Sequence, residues 1–147
     1  MAESGTGKMQ TDRGSRRILI ADDDPAILRL VATILERDGF AVVTARDGRE
    51  AYKILQDNPT FTAAILDVVM PHISGPELVR QMKTEQPLMS IPVMMMTAEQ
   101  DPKLSQDSFA AGAVVFLPKP FTTAQFQIML QMLLGKGAPT GEKPSST

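Results

Sequence analysis

The chain has no cysteine, so neither a disulfide framework nor a thiolate metal site can be built from it. It is also short of positive charge. Fifteen Lys and Arg face 17 Asp and Glu, for a net charge of -2, and Arg16-Arg17 is the one basic pair that stands out. A nucleic-acid footprint needs clustered basic residues to displace counterions from phosphates, so the charge pattern argues against one. Long apolar runs are missing as well. No segment approaches the roughly eighteen apolar residues of a membrane span, and residues 1–15 hold no apolar run of signal-peptide length. These absences lead to the expectation of a cytosolic protein with neither nucleic acid nor membrane as partner.

What is present is the make-up of a globular protein. The apolar share is 43% and the charged share 22%, which excludes both fibrous and disordered classes for the bulk of the chain. Residues 1–15 are rich in Gly, Ser and Thr, and residues 135–147 in Gly, Pro, Lys and Ser, so both ends are expected to be flexible tails. Residues 16–134 are then one domain, long enough to bury roughly two-thirds of its unfolded surface. There is no internal repeat.

Within that domain short apolar runs alternate with amphipathic stretches, the pattern of βαβ units around a parallel sheet. Strands are predicted at Ile18–Ala21, Ala41–Ala45, Ala63–Asp67, Pro92–Met96 and Val114–Leu117. The first helix is predicted to open at Asp24-Pro25, an N-cap acceptor followed by proline at a position whose N–H has no partner. Its apolar residues Ile27, Leu30, Val31, Ile34 and Leu35 form one stripe, and Gly39 supplies a left-handed stop. Asp47 to Glu50, Ser74 to Glu77 and Thr122 to Gln125 have the spacing of capping boxes and open three further helices. The helix after Asp101-Pro102 has only Leu104, Ser108 and Ala111 as its stripe, a weak signal that fits a movable element. The result is a (βα)5 order.

In an open parallel sheet, ligands bind beyond the carboxyl ends of the strands. The residues there are Asp22, Asp23 and Asp24 after strand one, Asp67 ending strand three, Thr97 after strand four and Lys119 after strand five. Singly, Asp24 reads as a helix cap, a lone aspartate as a turn former and Lys119 as a solvated cation. Together they place carboxylates, a hydroxyl and an ammonium at one edge, and crowded carboxylates call for a cation. Oxygen donors of this kind suit magnesium, with Asp22 and Asp23 on the metal side. A carboxylate can also accept a phosphoryl group, with metal and lysine neutralising the transferring charge, and Asp67 on the central strand suits that role.

Ala21-Asp22-Asp23-Asp24, Asp67-Val-Val-Met-Pro71, Thr97-Ala98 and Pro118-Lys119-Pro120-Phe121, in this order between about Arg17 and Leu134, resemble the response-regulator receiver domain of two-component signalling, of the chemotaxis-receiver kind. The resemblance implies a flavodoxin-like, doubly wound α/β fold with parallel strand order 2-1-3-4-5. It implies that Asp67 is the phosphoacceptor and that Asp22, Asp23, Asp67 and the Val69 backbone carbonyl hold magnesium. Thr97 and Lys119 would contact the phosphoryl group, the Lys119-Pro120 bond would be cis, and Phe116 stands where a switching aromatic is common. Thr97 moving toward the phosphoryl group would let Phe116 turn inward and reshape the face of the fourth helix, fifth strand and fifth helix. The implied partners are a sensor histidine kinase or a histidine phosphotransfer protein and a downstream protein target. The domain would be a stand-alone monomer or a phosphorylation-dependent dimer, performing only self-catalysed phosphoryl acceptance and autodephosphorylation.

Two positions depart from the family pattern. Val69 occupies a place where polar residues that influence water attack are frequent, and Ser74 one where aspartate is common, which puts the phosphoryl lifetime in question. His72, the single histidine, reads as a solvated loop residue and only secondarily as a phosphohistidine. Two other classes compete: a phosphorylation-independent binding module, which should lack pocket residues, and an aspartyl phosphatase, which would want an acid where Val69 stands. Residues 3–8 are similar to a phosphate-binding loop, but Ala2 and Met9 break the motif. The methionines, Met94 to Met96 among them, read mainly as core filler, with Met129 and Met132 as an alternative partner surface.

Overall fold

The computed structural model describes residues 16–99 and 101–135. The broken phosphate-loop motif and nearly all of both polar ends lie outside them. Five strands form one sheet in the order β2-β1-β3-β4-β5: β1 Arg17–Ala21, β2 Ala41–Ala45, β3 Ala63–Asp67, β4 Val93–Thr97 and β5 Val115–Pro118, all in parallel. Five α-helices connect and follow them: α1 Pro25–Arg37, α2 Gly48–Asp57, α3 Gly75–Lys83, α4 Pro102–Ala111 and α5 Thr123–Leu133, with a 3-10 turn at Leu88–Ser90.

Alternation along each strand divides the core in two. Ile18, Ile20, Ile65, Met94, Met96 and Leu117 face α1 and α5, where Val31, Leu35, Phe126 and Leu130 complete the packing. Leu19, Ala21, Leu66, Val93 and Met95 face the other side, where Leu55, Leu78 and Met82 cover them. A parallel sheet covered on both faces needs strands that are apolar at successive positions, and every residue of β3 and β4 is buried. Met94, Met95 and Met96 are therefore core, as the sequence suggests, whereas Met132 is 53% exposed.

The predicted caps recur, with one change. Ser74 and Thr122 each make both halves of a capping box. Asp47 accepts from the Glu50 N–H, but the Glu50 carboxylate reaches one residue further back and accepts from the Arg46 N–H at 2.7 Å. In α1 the stripe is rotated from the predicted one. Leu28 is buried and Leu30 is 41% exposed, because the two leucines sit on opposite edges of the stripe and the sheet closes over only one. Strands four and five each run one residue later than predicted. Backbone pairing continues to Thr97 and Pro118, past the apolar runs used to set the limits.

The α2 start is packed against the loop that follows β3. A Cβ placed on Gly48 would stand 2.0 Å from the Ile73 carbonyl oxygen, and the Gly48 N–H donates to the Pro71 carbonyl at 3.4 Å. Gly48→Ala is expected to cost about 1–3 kcal/mol through overpacking against backbone. The check is a lower urea midpoint at an unchanged m-value.

Candidate functional site

The carboxyl ends of β1, β3, β4 and β5 meet at one edge of the sheet. Asp22, one residue beyond β1, is fully buried, and its N–H donates to the Ala45 carbonyl at 3.1 Å, which ties it to β2. One of its oxygens accepts the Asp24 N–H at 2.9 Å while the other accepts from the Lys119 ammonium at 2.7 Å. Asp24 itself caps α1 by accepting the Ala26 N–H at 2.9 Å. Its part in the site is thus to carry the amide that orients Asp22, a role its own side chain did not advertise.

Asp67 ends the central strand and is 6% exposed. Carboxylate oxygens of Asp22, Asp23 and Asp67 lie within 4.8 Å of one another, with Asp23 exposed to solvent at the rim. Lys119 lies between the two buried carboxylates, its Nζ 3.6 Å from Asp67 and nearer to Asp22. Burial and the neighbouring Asp22 push the Asp67 carboxyl up to about 7, with Lys119 opposing and Asp23 adding to the shift. Burial works against the Lys119 ammonium, but its hydrogen bond to Asp22 and the attraction of both carboxylates outweigh that and raise its pKa.

Thr97, at the end of β4, is buried, and its hydroxyl oxygen accepts the Glu99 N–H at 3.1 Å. The Thr97 carbonyl in turn accepts the Lys119 N–H at 2.8 Å, which joins the ends of β4 and β5. The Lys119-Pro120 peptide is cis, as the resemblance implies, and Gln86-Pro87 is a second cis bond. Val69, two residues beyond Asp67, is 51% exposed, and its carbonyl accepts none of the hydrogen bonds among the described residues. The three aspartates make a hard-oxygen donor set, which fits a magnesium ion better than a softer metal.

His72 takes a left-handed backbone, φ 73°, and its Nδ1 lies 2.9 Å from an Arg49 guanidinium nitrogen. Its hydrogen-bond partner is thus a basic group of α2 and not the acidic cluster. Phe116 is half-buried on β5, its ring 6.2 Å from that of Phe109 on α4 at a 53° tilt. Phe109, 49% exposed, has no part in the α4 stripe and could have been found only by pairing α4 with β5.

The response regulator receiver domain family matches residues 18–131. The chain belongs to this family. It is similar to the response regulator MprA of Mycolicibacterium vanbaalenii, 33% identical over 89% of this chain and 57% of the relative. A transcriptional regulatory protein, the CpxR homolog of Haemophilus influenzae, is 33% identical over 83% of this chain and 52% of its own length. Among solved structures, the chemotaxis protein CheY4 of Vibrio cholerae aligns with a TM-score of 0.75 and 34% identity, over 81% of this chain and 98% of that one.

The receiver domain spans about half the length of the curated relatives it matches. Its weak basic charge therefore describes this domain only. The expectation of no nucleic-acid partner does not extend to whole proteins of this kind, since one relative is a transcriptional regulator. No helix among the described residues is long and apolar enough to cross a membrane.

Proposed function

We propose that this receiver domain takes a phosphoryl group onto Asp67 from a phosphohistidine donor on a sensor kinase or phosphotransfer protein. The observation that carries the reading is the meeting of Asp22, Asp23 and Asp67 within 4.8 Å, with the Lys119 ammonium set between the two buried carboxylates. In the transfer, a carboxylate oxygen of Asp67 forms the new bond to phosphorus while the phosphorus–nitrogen bond of the donor breaks. The electron pair returns to the imidazole. Asp22, Asp23, Asp67 and the Val69 carbonyl would hold magnesium, which supplies charge neutralisation to the phosphoryl oxygens.

Lys119 neutralises part of the same charge, and the Thr97 O–H donates to a phosphoryl oxygen, which its acceptance of the Glu99 N–H through a lone pair does not prevent. Because the Thr97 carbonyl is bonded to the Lys119 amide, movement at either strand end passes to the other. This supports a readout through α4, β5 and α5, with Phe116 as the aromatic that responds and a downstream protein as the listener. α4 fits such a part, since it buries only Ser108 and Ala111, and the Ser108 hydroxyl is spent on its own helix at the Leu104 carbonyl.

A phosphorylation-independent binding module would have no need of the full pocket, whereas here the three aspartates, the threonine and the lysine are all in place. The test is incubation with a small phosphodonor and magnesium, followed by intact mass. A single base-labile phosphoryl adduct is expected, absent in Asp67→Asn and reduced by chelator. An unmodified wild-type protein would sink the proposal, and steady phosphate release from unrelated esters would favour a phosphatase.

A further inference from the structure

Gly75 opens α3 and is buried beneath the acceptor strand. It is not among the glycines with positive φ, which are Gly39, Gly112 and Gly135 among the described residues. Alanine would therefore suit its backbone, and at a helical position would be favoured over glycine. Space is what excludes a side chain. A Cβ on Gly75 would stand 2.5 Å from the Asp67 carbonyl oxygen, and 3.0 and 3.1 Å from the terminal methyl and sulfur of Met95. The thioether can yield, but the carbonyl belongs to the peptide that leaves β3.

That peptide and the one after it are both fixed. The Val68 N–H donates to the Met96 carbonyl at 2.8 Å, and the Val68 carbonyl accepts the Gly75 N–H at 2.9 Å. The Asp67-Val68 peptide is thus held to β4 through its N–H, and the Val68-Val69 peptide to the first residue of α3 through its carbonyl, with no slack for a methyl group at Gly75. Any displacement there moves the Asp67 side chain relative to Asp22 and Lys119, and moves the Val69 carbonyl two peptides further along.

We infer that Gly75 is a positioning residue for the phosphoacceptor: by lacking a side chain it lets α3 pack against the Asp67 carbonyl and hold the Val68-Val69 peptide where the Asp67 carboxylate and the Val69 carbonyl can share one cation. This rests on the phosphoacceptor reading of Asp67 above.

The test compares wild type, Gly75→Ala and Phe126→Leu, the last a core change on the opposite face of the sheet that softens the fold without touching either peptide. Magnesium affinity, phosphoryl uptake from a small phosphodonor at saturating magnesium, and melting are measured for each. Gly75→Ala is expected to melt cooperatively yet bind magnesium roughly tenfold or more weakly and take up phosphoryl at least about tenfold more slowly. Phe126→Leu keeps wild-type values of both.

Wild-type affinity and rate in Gly75→Ala, or an equal loss in Phe126→Leu, overturn the inference while leaving the parent reading intact. A wild type that neither binds magnesium nor takes up phosphoryl overturns both. Should Gly75→Ala not fold, amide exchange in the wild type decides: the Gly75 N–H slows on adding magnesium while the Phe126 N–H does not, and an unchanged Gly75 rate rejects the idea.

Discussion

Asp67→Asn is expected to stabilise the metal-free protein at pH 8 by on the order of 4 kcal/mol. Loss of a central buried residue ordinarily destabilises, so the sign is the informative part. The Asp67 carboxyl sits at about 7 when folded against an ordinary value of 3.8, because burial and Asp22 both disfavour its charge. The folded protein therefore holds this proton more tightly than the unfolded chain does. Below about pH 4 both states are protonated and the site costs nothing. As pH rises toward 7 the unfolded chain ionises freely, the folded one does not, and stability falls; above 7 the full cost is present. Asparagine has no such charge to bury, so its advantage should grow from near zero at pH 4 to a plateau above pH 7. Urea unfolding in chelator across this range measures it, and a gain that does not vary with pH would count against the mechanism.

Lys119→Met is expected to change three properties in different directions. In chelator the protein loses about 3–5 kcal/mol, because the buried Asp22 carboxylate keeps its desolvation and loses its partner. Magnesium binds more tightly than to wild type, since the ammonium 2.7 Å from Asp22 no longer competes for the same oxygens. Phosphoryl uptake nevertheless slows by about 10²–10³, the usual cost of removing one charge-stabilising donor. Calorimetric titration, chelator-side unfolding and the mass-based uptake assay read the three separately. A variant that lost metal affinity together with stability would show that Lys119 only props up the pocket.

Much of this was legible in the chain because the relevant signals are local. Residues just after apolar strand runs have to lie at the carboxyl edge of the sheet, so Asp22, Asp23, Asp67, Thr97 and Lys119 could be placed side by side before any coordinates. Caps were legible for the same reason, since Ser74 and Glu77 find each other within one turn. What stayed hidden depends on contacts between distant segments. The rotation of the α1 stripe that exposes Leu30 is set by the sheet beneath it, and the end of β4 at Thr97 by pairing with Pro118. The demand for glycine at positions 48 and 75 comes from carbonyls of other segments. The preference of Lys119 for Asp22 over Asp67 is a matter of an ångström, 2.7 against 3.6 Å, which spacing in the chain cannot express.

The elevated Asp67 carboxyl has a consequence for how the pocket exchanges ions. Raised to about 7, that group keeps its proton far further toward neutral pH than an ordinary aspartate does. A divalent ion has use only for the carboxylate, so filling the pocket would expel whatever proton the group still holds. Cation uptake would then be a proton-releasing reaction, with a heat that depends on the buffer that receives the proton, and acidification would weaken it.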